Sequence, residues 1–521
     1  MNYQKRTDQN QLMMVNLSAE VPDDSWARIV ELFVDNMPIE EFGFKHAKLQ
    51  REGQPPYHPR DMFKLLVFGQ REGLRSSAKL AKACRVNIEL WYLMGMLTPS
   101  PRTISYFREQ NADAIKKAHK HFVKLLKSWN LIDGKTIAVD STKMRAQNSM
   151  KNNFNKKKVD RHLKYIEGRI DGYLDKLDSF DSKKVLRKKD VKDIQNAEKG
   201  IEEQERRENK YKEIEEQITQ SSDGQVSTTD PDARAVIHSR GAVECGYNVQ
   251  VTADSKHNLL IDAHNGGVND TAALHVAGTA VQDLLEIKNF DLLADAGYHN
   301  GSQLAACEAA GITPYVSPVR QSSSANEGYR KEDFTYISNG DFYICPQGNE
   351  LHTNGALHIK KQKQSYRFKR YATKACIQCP VQDECTKRKQ GRLLERSEHQ
   401  EANDRNAERI EHNKDYYRQR QQIIEHPFGT FKRQWGITYF LTKGKEKVMT
   451  EFNLAMISYN LMRIVGILGL NEFRRLVKAS FYSFLDLFSI NFKTFEQVFL
   501  KYKLISSFSI TSSLCCQWKM R

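Results

Sequence analysis

A chain of 521 residues is too long for one ordinary domain and suggests two to four. Hydrophobic residues make up 40%, enough for real cores, which excludes a disordered chain. Against 64 Asp and Glu stand 80 Lys and Arg, and the resulting net charge of +16 favours a polyanionic partner, most often nucleic acid. Residues 1–11 are polar and lack the apolar run of a secretory signal. The longest apolar stretch, 454–470, is interrupted by Asn460 and Arg463, so no membrane partner is expected. Nine cysteines without such a signal point to a reducing, cytoplasmic setting, where clustered cysteines hold metal more often than disulfides.

From 26 to 127 the pattern is helical. Pro59 opens a helix whose segment Asp61-Met-Phe-Lys-Leu-Leu-Val-Phe68 places apolar residues at helical spacing, and Gly73 closes it. Ser76 or Ser77 starts the next helix, and a third spans 88–94. The run Thr98-Pro-Ser-Pro-Arg-Thr-Ile-Ser-Tyr-Phe-Arg108 predicts a turn, a cap and a short polar helix. Short helices with an Arg-bearing last member suit a helix-turn-helix, in which Arg102, Ser105 and Arg108 would meet DNA phosphates or base edges; a small structural bundle fits the same pattern.

Lys135-Thr-Ile-Ala-Val-Asp140 predicts a short buried strand ending at an acid. Over 156–220, Leu163, Ile166, Ile170, Leu174 and Leu177 keep a three–four spacing. Ser179-Phe-Asp-Ser-Lys183 breaks it, and Ile194, Ala197, Ile201, Tyr211, Ile214 and Ile218 restore it. This predicts two long helices in an antiparallel hairpin, serving as a dimer arm, a DNA clamp or a spacer within the chain. After a linker at 221–225, residues 245–254 and 259–263 form a β-hairpin. An amphipathic helix over 272–285 follows. Phe290-Asp-Leu-Leu-Ala-Asp295 is a second apolar strand ending in an acid, then come a helix at 302–310 and a strand at 311–316. Residues 340–390 hold short strands, turns and four cysteines. A long polar helix is expected over 403–431 and two helical stretches over 445–468; the Phe-rich tail carries no readable motif. The fold class these elements imply is α/β.

Asp140 and Asp295 each follow an apolar strand, where ligand sites of α/β sheets collect, and an acid buried there needs a partner or a metal. Glu425 lies on a helix in which Ile423 and Ile424 supply the buried side. Three carboxylates suit two Mg²⁺ or Mn²⁺ ions, which activate an attacking oxygen and stabilise a leaving one. Any single Asp after a strand is also a common turn former or cap.

The segments Ile137-Ala-Val-Asp140-Ser-Thr, Leu293-Ala-Asp295-Ala-Gly-Tyr298 and Ile424-Glu425-His-Pro-Phe-Gly-Thr-Phe-Lys432 resemble the DDE transposases of bacterial insertion sequences. Asp230-Pro-Asp-Ala-Arg234, Gly246-Tyr-Asn-Val-Gln250, Trp435-Gly-Ile-Thr-Tyr-Phe-Leu-Thr-Lys-Gly444 and the helical stretch 57–108 extend the likeness over about 22–466. The resemblance implies an RNase H-like mixed sheet flanked by helices, with Asp140, Asp295 and Glu425 as catalytic metal ligands. It implies cleavage of double-stranded DNA at element ends and joining to target DNA, a homodimer on DNA, and no small-molecule substrate. The domains it implies are a helical DNA-binding domain (1–128), a catalytic domain in three pieces (129–155, 223–320, 401–470), a helical-hairpin insertion (156–222), a cysteine-containing insertion (321–400) and a tail (471–521). Many relatives carry Tyr-x2-Arg-x3-Glu-x6-Lys; Lys432 fits, but Arg418 and Gln421 occupy the Tyr and Arg positions. Arg418 lies two turns before Glu425 on nearly the same face, so Arg418 and Lys432 are expected at DNA phosphates; Arg420, close by but rotated away, is a further DNA-binding candidate.

Cys345-Pro-Gln-Gly and Cys376-Ile-Gln-Cys379-Pro-Val-Gln-Asp-Glu-Cys385 form a zinc-ribbon-like set, suited to a structural Zn²⁺. Lys360, Lys361, Lys363, Arg367, Lys369, Arg370, Lys387, Arg388 and Lys389 surround it and suggest DNA contact; four reduced cysteines without metal are the alternative. Two rival readings remain: another RNase H-like nuclease, against which the Glu425 block and the helical N-terminus speak, and a non-catalytic DNA-binding protein, against which the three retained acids speak.

Overall fold

A computed structural model describes residues 10–11, 14–48, 55–181, 185, 187–221, 223–237, 241–318, 328–360 and 366–487. Lys361, Lys363 and the tail beyond 487 lie outside the described residues. The chain forms two compact units, residues 1–129 together with those from Thr450 on, and 130–449. The mixed α/β class holds.

The first unit begins with α1 (Leu17–Glu20), α2 (Trp26–Asp35), α3 (Ile39–Phe42), α4 (Pro59–Arg71), α5 (Ser77–Val86), α6 (Ile88–Met94), α7 (Pro101–Gln110) and α8 (Ala112–Ser128). Side chains of Ser25, Ser76, Asn87 and Ser100 accept first-turn amide protons of α2, α5, α6 and α7, which is why these helices start where they do. Helix α4 is apolar on every side in its middle: Met62, Phe63, Leu65, Leu66, Val67 and Phe68 are all buried. A side chain at Gly69 would meet the Leu74 carbonyl and Leu80 at 2.7 Å, so the following turn needs glycine there.

The second unit is built on a sheet ordered β4-β5-β1-β7-β8, with β6 also on β5. Its strands are β1 (Thr136–Arg145), β4 (Arg234–Ile237), β5 (Val243–Asp254), β6 (Leu260–Asn265), β7 (Phe290–Ala294) and β8 (Ile312–Val316). The short pair β2 (Asn153–Asn155) and β3 (Gln225–Ser227) closes the base of a hairpin of α9 (Lys156–Asp181) and α10 (Lys188–Gln220). Phe154, Val159, Ile214 and Ile218 root that hairpin. Helices α11 (Leu274–Leu285) and α12 (Gly301–Ala309) connect the later strands.

Three expectations change here. Strand β1 does not stop at Asp140 but runs on to Arg145, because antiparallel β5 supplies partners as far as Gly246. Strand β4 was not read, being four residues long. The single helix expected over 403–431 is two, α14 (Gln400–His412) and α15 (Lys414–Gly429), after which Thr430–Gln434 forms a π turn. Asn413, with φ −125° and ψ 42°, leaves helical geometry between them.

Residues 328–397 form a separate sheet, β12-β13-β11-β10-β9 with β14 on β13. Its strands are β9 (Thr335–Ile337), β10 (Phe342–Ile344), β11 (Glu350–Thr353), β12 (His358–Lys360), β13 (Tyr366–Ala372) and β14 (Leu393–Ser397), with the one-turn α13 (Gln382–Cys385). Phe334, Tyr343, Leu351, Tyr371 and Leu394 are its core. Helices α16 (Lys445–Leu468) and α17 (Leu470–Leu487) end the described chain. From Thr450 this stretch packs with the N-terminal helices, whereas the sequence reading grouped 401–470 with the acids. Ser458 does so through its hydroxyl, 2.9 Å from the Val67 carbonyl. Among the described residues no single helix is long and apolar enough to cross a membrane.

Candidate active site

Parallel pairing joins Thr136 to Asp291, Ile137 to Leu292 and Ala138 to Leu293. Two residues beyond that register stand Asp140, still on β1, and Asp295, just past the end of β7. Strand β7 has ended by then, and Asp295 caps the turn that follows, its Oδ1 accepting the Gly297 amide proton at 2.9 Å. Burial, and then the neighbouring Asp295 carboxylate, push the Asp140 carboxyl up from 3.8 to about 6; Asp270 adds to this, while the Ser141 amide and Arg420 oppose it.

Helix α15 covers this face through a three–four repeat. Tyr416 shares its hydroxyl with Thr136 and Asp291, both at 2.7 Å, and Tyr417 donates to the Ala294 carbonyl at 3.0 Å. Arg420 reaches Asp140 at 3.4 Å, and Ile423 and Ile424 are buried. The two arginines therefore exchange the places expected of them. Arg418 is exposed and pairs with Asp415 at 3.0 Å on its own helix, while Arg420 stands at the acid. The face that matters is counted from Tyr416 and Tyr417 and not from Glu425. Glu425 is the next residue round from Ile424 and is exposed. Lys432 lies in the π turn; burial lowers its amine, with Lys143 acting the same way and Asp140 opposing.

Sequence reading missed a polar network against the other face of β1. Asp270, in the loop before α11, accepts from Ser141 Oγ (3.1 Å), Asn248 Nδ2 (2.8 Å) and Gln250 Nε2 (2.6 Å), and pairs with Lys143 at 3.6 Å. Gln250 in turn accepts from the hydroxyl of Tyr298, a fully buried ring. Burial and the charges of Asp270, Asp140 and Asp295 hold the Tyr298 hydroxyl far above its ordinary range, so it stays a donor. The Asn269-Asp270-Thr271 text reads as an ordinary loop; the only sequence signal is the polar alternation of Asn248 and Gln250 in an apolar strand.

In the first unit, Arg102 is exposed and Ser105 half-buried on α7, but Arg108 is buried, 6% exposed, with its guanidinium 3.4 Å from the Arg75 carbonyl. Arg108 thus packs inside the unit, and Arg75 beside it pairs with Glu451. In the small sheet, Cys345, Cys376, Cys379 and Cys385 line one pocket, and the Asn349 amide points at Cys345 Sγ from 3.3 Å. Burial raises the Cys385 thiol, Arg392 lowers it and the three other cysteines raise it. Of the basic residues around them, Lys369 pairs with Asp341, while Lys360 and Arg370 pair with Glu395. Among the described residues no three His, Cys, Asp or Glu side chains are gathered closely enough to share a metal ion.

Residues 344–465 match a family model described as a transposase DDE domain, and residues 15–110 match one described as a transposase domain (DUF772). The first match contains Glu425 and the cysteines, while Asp140 and Asp295 lie outside both. No curated protein and no solved structure matches the chain. Two transposase models thus match stretches on either side of the strands that carry Asp140 and Asp295, and together they support a DDE transposase of insertion-sequence type.

Proposed function

We propose that the protein cleaves the ends of an insertion sequence and joins them to target DNA, at a site formed by Asp140, Asp295 and Glu425 on an RNase H-like sheet. The observation that carries this reading is the Asp140–Asp295 pair: one carboxylate on β1 and one just after β7, the first held protonatable by burial and then by the second, with Arg420 as countercharge. Such a pair fits hard divalent cations, which bind through carboxylate oxygens. Two Mg²⁺ or Mn²⁺ ions there would supply activation of the attacking oxygen and stabilisation of the leaving one. Arg420 holds Asp140 in place until that charge is met otherwise, and Lys432 adds positive charge for the DNA backbone. Glu425 joins the pair by a turn of its helix or a swing of its side chain. The π turn that follows carries more residues per turn than an α-helix and is suited to absorb such a shift.

The remaining expectations follow as parts of the same proposal. Arg102 and Ser105 are offered to DNA from α7, the α9–α10 hairpin serves as a clamp or dimer arm, and the enzyme acts as a homodimer on double-stranded DNA. The four cysteines, which line one pocket with an amide proton directed at Cys345 sulfur, would close on a structural Zn²⁺ by drawing together, since no three of them stand within shared-ion reach as they lie. The deciding experiment incubates the full-length protein with Mg²⁺ and the DNA that borders its coding region. Wild type should nick and join these ends, and D140N, D295N and E425Q should bind them without cleaving. Cleavage that persists in all three variants would sink the assignment.

A further inference from the structure

Strand β1 pairs with β7 only as far as Ala138, and it is bridged to the 438–440 segment only at Arg145. Between them, residues 139–144 have β5 as their strand partner among the described residues; from this stretch Asp140 faces Arg420 of α15, and Lys143 stands on the opposite face. Lys143 is tethered there. Its ammonium lies 3.3 Å from Ser141 Oγ and 3.6 Å from Asp270 Oδ2, and it stays about a quarter exposed, at 26%. Asp270 is itself nearly buried, at 12%, and is fixed by Asn248 and Gln250 from the neighbouring strand. Lysine on a four-carbon stem normally sweeps a wide volume, so a tethered one beside an acidic pair is an arranged one. Lys143 also repels Lys432, which Asp140 attracts, and Asp270, the partner of Lys143, acts on Asp140. Two lysines that repel one another form a seat for an anion, which relieves that repulsion when it binds between them.

We propose that Lys143 contacts a DNA phosphate during the reaction and that Asp270 is its positioning residue, acting through Ser141 and Lys143. The proposal rests on the active-site assignment above and adds to it a cation the family match does not cover. Asp270 does not touch substrate; its carboxylate decides where the Lys143 ammonium stands. Neighbouring amides keep Asp270 in place, so neutralising it frees the lysine without removing the loop.

The test uses full-length wild type, K143Q, K143R, D270N and the K143Q/D270N double variant, with the duplex that borders the coding region as probe. Binding is measured across a salt series, and cleavage under single turnover with Mg²⁺. Each phosphate contact contributes nearly one unit to the slope of log affinity against log salt, so K143Q should lower that slope by about one and slow cleavage by roughly 10–100-fold. K143R should recover most of the slope. D270N should lower the slope in the same way with Lys143 still present, and the double variant should be no worse than K143Q, because the two residues act as one unit. An unchanged slope in K143Q overturns the phosphate contact. Multiplying losses in the double variant overturn the positioning role. If D270N melts early by circular dichroism, K143Q and K143R decide the phosphate contact by themselves, and an N248D or Q250E change, which repels Asp270, replaces it in the cycle. D140N runs alongside: cleavage retained there defeats the active-site assignment, whereas cleavage lost there with a normal K143Q slope defeats this inference alone.

Discussion

Asp140 and Asp254 stand on adjacent strands of one sheet, and burial pushes both carboxyls up from 3.8 to about 6. Their surroundings differ. Asp254 spends its oxygens on the chain itself, accepting amide protons from Gly134 and Lys256, both at 2.9 Å, and so ties the start of β1 to the β5–β6 turn. Asp140 faces another carboxylate and one arginine. Equal displacement of the proton equilibrium therefore marks a structural staple in one place and the proposed reactive edge in the other. The partner, more than the size of the displacement, separates them.

The largest expected effect is on activity. D140N should abolish cleavage by more than about 10³-fold while leaving the urea midpoint equal to or above wild type, since it removes a repelling charge. D254A should do the reverse: activity per folded molecule is kept, and stability falls by about 2 kcal/mol because one buried and one part-buried amide proton lose their acceptor. An inactive but folded D254A, or an unfolded D140N, would break the contrast.

The pH response sharpens it. Both carboxyls bind protons more tightly in the folded chain than in the unfolded one, so protonation favours folding as pH falls from above 6 towards 4. Below that the contribution is fully present and no longer grows; it is lost again as pH rises through about 6. A tenfold difference in proton affinity between the two states is about 1.4 kcal/mol, so each group supplies on the order of 2–3 kcal/mol at most. Urea unfolding across pH 4–7 should show the D140N variant losing its share of this pH dependence. Mg²⁺ should suppress the Asp140 share in wild type and leave that of Asp254 untouched.

Smaller effects concern the cysteine pocket and the helix over the acids. Gly391 has φ +89°, and a side chain there would lie 2.3 Å from Cys376 Cβ. G391A should therefore weaken the cysteine sheet by about 1–3 kcal/mol and lower its zinc content, read by a chelator-release assay, before it lowers cleavage by the acids. R420A should slow cleavage several-fold. R418A should change it less than about twofold, because Arg418 pairs only with exposed Asp415, and exposed pairs contribute about 0–1 kcal/mol.

Local rules explain what was legible. Apolar runs before Asp140 and Asp295, the cap residues of the N-terminal helices and the heptad-like hairpin follow from short-range patterning, and each element forms close to where it was read. The arginine exchange was not legible, because which face of α15 meets the sheet depends on Tyr416 and Tyr417 finding partners on β1 and β7. Arg108 likewise looked like a surface residue until α5 and α7 closed around it.

The amino-acid sequence by itself determined most element types and carried the motifs behind the proposed acidic and cysteine sets and the transposase resemblance, because those depend on spacing along the chain. Tertiary structure alone decided that β1 runs past Asp140, that Asp270 pairs with Lys143 and acts on Asp140, and that Arg420 is the arginine at Asp140. Those facts arise from strand register and helix rotation. Both are set by contacts between residues more than a hundred positions apart, which no local pattern encodes.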